Sequence, residues 1–140
     1  MKYLLDTCVI SETIKKVPNP QVVAWLDGCD EEKLFLSVLT IGELQKGISK
    51  LPDDNPRKED LQQWVEHDLM ERFEGRILTI DVDIAIAWGN LQGAAEQTGE
   101  SLPVMDSLIA ATAKAYGLAV VTRNVRDLKR CSAKIFNPWP

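Results

Sequence analysis

Four acidic residues stand at places where a folded α/β chain would gather them. Asp6 directly follows the apolar run Tyr3-Leu4-Leu5, and Glu43 comes shortly after Leu34-Phe35-Leu36-Ser37-Val38. Asp106 opens a helical pattern, and Asp127 follows Ala119-Val120-Val121-Thr122, with Asn124 between them. Carboxylates packed together repel one another unless a cation offsets them. Hard oxygen donors of this kind select Mg²⁺ or Mn²⁺, with Mg²⁺ keeping several waters and one or two direct carboxylates. Such an ion polarises a phosphoryl oxygen and activates a water. Each acid also has a structural reading. Thr40-Ile41-Gly42-Glu43 matches a capping box in the first turn of a helix. Asp106 suits a helix macrodipole, Asp6 an N-cap and Asp127 a turn. Their convergence separates the two readings.

The elements that would bring them together are legible as alternating apolar runs and periodic segments. Strands are expected at Tyr3-Leu5, Leu34-Val38, Ile77-Ile80, Ala119-Thr122 and Ala133-Phe136. Helices are expected over Val9-Lys16, from Asn19-Pro20 to Gly28, over Thr40-Lys50, Pro56-Phe73 and Val82-Gln97, and from Met105 to Tyr116 with Gly117 as the stop. Strands interleaved with helices predict a three-layer α/β fold, a central parallel sheet of four to five strands flanked by helices. Ligands of such sheets bind outside the carboxyl ends of the strands. Asp6, Glu43 and Asp127 leave the sheet at that edge. The helix opened by Asp106 runs antiparallel to the strands, so its start lies there too.

Composition limits what this edge can serve. The chain has 140 residues, 45% hydrophobic and 26% charged, which is ordinary for one globular domain spanning 1–140. No apolar run is long enough to span a bilayer, and Asp6 interrupts the N-terminus too early for a secretory leader, so a cytoplasmic protein is expected. Cys8, Cys29 and Cys131 form neither a disulfide framework nor a metal-ligand spacing. The single histidine, His67, belongs to a polar helix and reads as surface. Lys and Arg number 16 against 21 Asp and Glu, a net charge of −5, which excludes binding of nucleic acid by a broad cationic surface. Local basic residues must then supply the attraction to a polyanion. Arg123, Arg126, Lys129 and Arg130 cluster around Asn124 and Asp127 and are candidates for contact with substrate phosphates or an acidic partner segment.

The motifs together resemble the PIN-domain nucleases, and more narrowly the VapC/FitB toxins of bacterial toxin–antitoxin pairs. The similarity is carried by Leu4-Leu5-Asp6-Thr7-Cys8-Val9-Ile10-Ser11-Glu12, Thr40-Ile41-Gly42-Glu43-Leu44, Val104-Met105-Asp106-Ser107-Leu108-Ile109-Ala110 and Val121-Thr122-Arg123-Asn124-Val125-Arg126-Asp127-Leu128. The closing Ile135-Phe136-Asn137-Pro138-Trp139 resembles the FitB-like branch. The resemblance implies a Mg²⁺- or Mn²⁺-dependent endoribonuclease that cuts single-stranded regions of RNA. It also implies a homodimer inhibited by a cognate DNA-binding antitoxin, with operator DNA reached only through that antitoxin. By position, Asp6, Glu43 and Asp106 match the family's metal-site acids. Many members carry a fourth acid where this chain has Asn124. Asp127 or Asn124 takes that place, and Thr122 is a candidate contributor of a hydroxyl. Cys8 stands where Asn is common.

Two other classes compete. Phosphoryl transfer through an aspartyl phosphate suits Asp6 at a strand end, but haloacid-dehalogenase-like enzymes need a second Asp at the position of Cys8. A lapsed binding or scaffold protein would keep the fold without turnover, and Asn124 gives that reading its footing. Trp25, Trp64, Trp88 and Trp139 are dispersed over several elements, which favours core or interface roles over a platform for bases.

Overall fold

A computed structural model describes residues 1–140. Five parallel strands, β1 (Tyr3–Leu5), β2 (Leu34–Ser37), β3 (Ile77–Leu78), β4 (Ala119–Val121) and β5 (Ile135–Phe136), form one sheet in the order β3-β2-β1-β4-β5. β1 is central. Its register with β4 pairs Tyr3 with Ala119, Leu4 with Val120 and Leu5 with Val121, and the Asp6 N–H continues the ladder by donating to the Val121 carbonyl at 2.9 Å. Successive side chains on a strand point to opposite faces. Leu5 and Val121 accordingly join the core beneath α1 (Thr7–Thr13), α2 (Pro20–Asp27) and α3 (Val38–Ser49). Leu4 and Val120 join the other core, beneath α7 (Val104–Tyr116) and α8 (Val125–Arg130). The sheet is thus a middle layer with helices on both faces, as the alternation of runs requires. No helix is long and apolar enough to cross a membrane.

Local chemistry sets the boundaries. Asn19 Oδ1 accepts from the N–H groups of Gln21 and Val22, with Pro20 at the first position of α2. Asp81 caps α6 (Val82–Gln97) through the Ile84 N–H, and Gly117 ends α7 in the left-handed conformation (φ 67°). Several expectations need correction. The helix after β2 begins at Val38 and not at Thr40, because the Ser37 hydroxyl accepts the Leu39 N–H at 3.1 Å and caps it. No capping box forms between Thr40 and Glu43, and Glu43 sits in the second turn. The expected helix over Pro56–Phe73 is α4 (Lys58–Gln63), a π-helical stretch Trp64–Leu69 and α5 (Met70–Arg72) in succession, with Val65 and Leu69 buried on the wide turns. Finally, Val125–Arg130 forms α8, where the sequence reading placed no helix.

Candidate active site

The central strand and its neighbour β4 lie at the point where the strand order reverses, the place where open α/β sheets take ligands. Asp6 leaves β1 there and starts α1. Its Oδ1 accepts the Thr7 N–H at 2.9 Å, so the N-cap reading holds. Its Oδ2 accepts a second hydrogen bond from the fully buried Thr122 hydroxyl at 2.8 Å. Thr122 Oγ1 in turn accepts the Asn124 N–H at 2.9 Å, and the Asn124 side-chain amide donates to Asp106 Oδ2 at 3.1 Å. Three elements, β1, β4 and α7, are therefore tied by one chain of hydrogen bonds with a carboxylate at each end.

Glu43 reaches the same edge from α3. Its Oε1 accepts the Thr7 hydroxyl at 2.6 Å, and Thr7 Oγ1 lies 3.3 Å from the buried Thr40 hydroxyl. The residue expected to cap the helix instead backs the hydroxyl that orients the acid. Thr7 had no role in the sequence reading; its one signal was a hydroxyl directly after a strand-end Asp. Cys8 lies on the other side of Asp6, with Sγ 3.9 Å from Asp6 Oδ2 and accepting the Arg123 N–H at 3.5 Å. Burial, first of all, pushes its thiol pKa up. It packs against Asp6 and Thr122, and a raised thiol pKa disfavours the thiolate.

Asp106 carries the electrostatic record of this gathering. Its carboxyl pKa is raised, first by burial, then by the charges of Asp6 and Asp127, with Glu43 adding a smaller push and the Asn124 amide opposing it. None of Asp6, Glu43 and Asp106 takes part in the ion pairs of the structure. Asp127 faces Asp106 closely enough to repel it but is itself 3.8 Å from the guanidinium of Arg130. Arg130 is further committed to the Ser101 carbonyl at 3.1 Å. Arg123, Arg126 and Lys129 are exposed on the same edge. His67 is exposed, as its polar helix suggested.

The carboxylates do not form a ready-made cage, since no three acid, His or Cys side chains converge tightly enough to hold an ion between them. The donor set still fits a hydrated hard cation, which takes one or two carboxylates directly and reaches others through water. Its oxygens are carboxylate and hydroxyl, and its negative charge has no cationic side chain against it. A helical residue outside this edge also went unassigned from sequence. Glu12 is buried in α1 and accepts from the Asn19 N–H at 3.0 Å, Lys15 Nζ at 3.0 Å and the Trp139 indole N–H at 3.3 Å. Its signal was its place one helical turn after Val9, on the apolar face.

A parallel α/β sheet that gathers acids from three elements at its switch point is suited to a hydrated cation, and comparison with known proteins shows the family. The family model of the PIN domain matches residues 3–134, and the chain belongs to the PIN-domain family. It is 38% identical over 136 residues to Toxin FitB of Neisseria gonorrhoeae, covering 97% of each chain. It is 35% identical over 136 residues to VapC ribonuclease Y4jK of Sinorhizobium fredii, covering 97% of this chain and 96% of the relative. Among solved structures, FitAB bound to an IR36 DNA fragment contains a chain that superposes with a TM-score of 0.90 at 36% identity, covering 99% of this chain and 96% of that one.

Proposed function

We propose that this chain, acting as one PIN domain over residues 1–140, is the ribonuclease toxin of a toxin–antitoxin pair. It is a Mg²⁺- or Mn²⁺-dependent endoribonuclease that cuts single-stranded regions of RNA in the cytoplasm. The observation that carries this reading is the hydrogen-bonded path from Asp6 through Thr122 and Asn124 to Asp106, with no cationic side chain paired to either acid. The relatives named as a FitB toxin and a VapC ribonuclease support it.

Asp6 and Asp106 would hold the ion directly, and Glu43 would bind it through water or orient the attacking water. Bound there, Mg²⁺ or Mn²⁺ supplies charge to polarise a phosphoryl oxygen and lowers the pKa of a coordinated water. The chain's own residues do the rest. Thr122 fixes the rotamer of Asp6, Thr7 aims Glu43, and Asn124 orients Asp106. Asp127, paired with Arg130, adds negative charge beside the site. Arg123, Arg126 and Lys129 offer cations to the RNA backbone, while Arg130 is already engaged. The partner is a DNA-binding antitoxin, and the toxin acts as a homodimer that meets operator DNA only through that antitoxin. The FitAB complex bound to DNA supports this assembly.

Mapping cuts on total RNA tests the reading. The purified protein should cleave only with Mg²⁺ or Mn²⁺, and Asp6→Asn should lose at least about a hundred-fold of that activity, more than is typical for outer-shell changes. Asn is as good an N-cap as Asp, so the variant keeps α1 intact. Cleavage that survives chelation, or full activity in Asp6→Asn, refutes the assignment.

A further inference from the structure

The backbone of Arg123 stands between Thr122 and Asn124, the two residues that hold the site's acids. Its N–H is fixed on Cys8 Sγ at 3.5 Å. The side chain is exposed and makes none of the ion pairs in the structure, although Asp6, Asp106 and Asp127 crowd the same edge. The guanidinium lies instead over the indole of Trp139, with Cζ 5.4 Å from the ring centroid. A guanidinium free to swing would settle on the nearest carboxylates and neutralise the charge a metal ion needs. The ring face gives it another resting place.

Trp139 is built to hold still. It is 9% exposed and packed into the core beneath α1 and α2. Its indole N–H donates to the buried Glu12, and its backbone N–H donates to Asn137 Oδ1 at 3.0 Å. Glu12 is itself fixed by the Asn19 N–H and by Lys15. The plane under Arg123 is therefore tied to α1, whose first residues carry the site. Two of the other basic residues differ. Arg130 is spent on Ser101 and Asp127, and Lys129 lines a separate depression with Val125 and Ala133.

We propose that Arg123 is the anchor for a substrate phosphate beside the acid site, and that Trp139 is the positioning residue that keeps it off the carboxylates. The ligand chemistry is the phosphodiester backbone of single-stranded RNA, which a planar guanidinium meets with two parallel N–H groups. The proposal rests on the ribonuclease reading above. It gives the closing tail and the buried Glu12 a part in substrate binding.

Steady-state kinetics on a single-stranded RNA oligonucleotide with Mn²⁺ tests it. The proteins are the wild type, Arg123→Lys, Arg123→Ala, Trp139→Phe and the double variant Arg123→Ala/Trp139→Phe. Lysine keeps the charge but not the stacked plane, and phenylalanine loses the N–H that fixes the ring. Both should raise KM about three- to thirty-fold, the span of one such contact, with kcat within about twofold. The double variant should match Arg123→Ala alone, because Trp139 acts through Arg123. Wild-type KM in either Arg123 variant overturns the proposal, as does a further rise when Trp139→Phe is added to Arg123→Ala. Arg123→Lys changes an exposed position and decides the question even if Trp139→Phe melts. A wild type that neither binds nor cuts RNA strikes the ribonuclease reading itself; cutting by the wild type with unchanged variants strikes only this one.

Discussion

Asp6 serves two purposes with one carboxylate. One oxygen caps α1 and the other takes the Thr122 hydroxyl, with the Cys8 thiol 3.9 Å from it. The structural and functional readings of this residue were never exclusive, and a strand-end acid with apolar residues before it already contained both. Glu43 was harder to read. Thr40 and Glu43 have the spacing of a capping box, yet Ser37 caps first, so the pair is displaced into the helix and turned toward Thr7. Glu12 was invisible as a role because its partners come from the α2 cap and the far end of the chain. Its pKa is lowered, first by the Asn19 N–H and then by Lys15. A lowered carboxylate stabilises the fold fully above the ordinary glutamate range, and that contribution is lost as pH falls through the depressed value. Glu12→Gln should therefore lower the urea midpoint clearly at pH 7. The gap from the wild type should shrink steadily on titration toward pH 3; a gap that stays constant with pH would remove Glu12 from this role.

At the scale of elements, the sheet follows from short apolar runs whose alternate residues feed two cores, and this much is readable because each run ends at a turn or cap residue. The runs overstate strand length: Ile77-Leu78-Thr79-Ile80 looks like four strand residues, but only Ile77–Leu78 pair, at the sheet edge beside β2. α8 was missed for a physical reason. It is six residues long, its side chains are mostly charged, and one buried residue, Leu128, holds it to the sheet. Periodicity cannot announce a helix with one apolar contact. The π-helical turns at Trp64–Leu69 are likewise a product of packing, which widens the helix to bury Val65 and Leu69. Gly117 is the opposite case, a stop that the sequence shows outright. A methyl group there meets nothing within 4 Å, so Gly117→Ala isolates the left-handed backbone term. Denaturant titration should find it about 1–2 kcal/mol less stable, and an unchanged midpoint would mean that α7 ends by another route.

Over the whole molecule, a protein with a net charge of −5 offers a polyanion beside its acids only the few basic residues that follow β4. If Arg123 and at most two neighbouring cations meet the RNA, few phosphates are involved, and log affinity against log salt should slope by only about −0.7 to −2. A filter-binding or anisotropy series with Ca²⁺ in place of Mg²⁺ reads that slope. A much steeper value would require a cationic surface the chain does not have. The fold assembles the acids from β1, α3, α7 and α8 and leaves Asp6, Glu43 and Asp106 without a cation, and the account's claim is that a divalent ion fills that place. Calorimetric titration of Mn²⁺ into the wild type and into Asp106→Asn tests that claim most directly. Saturable binding by the wild type, weakened at least about tenfold in Asp106→Asn, is the predicted result; no saturable heat in the wild type, or equal affinity in both, contradicts it.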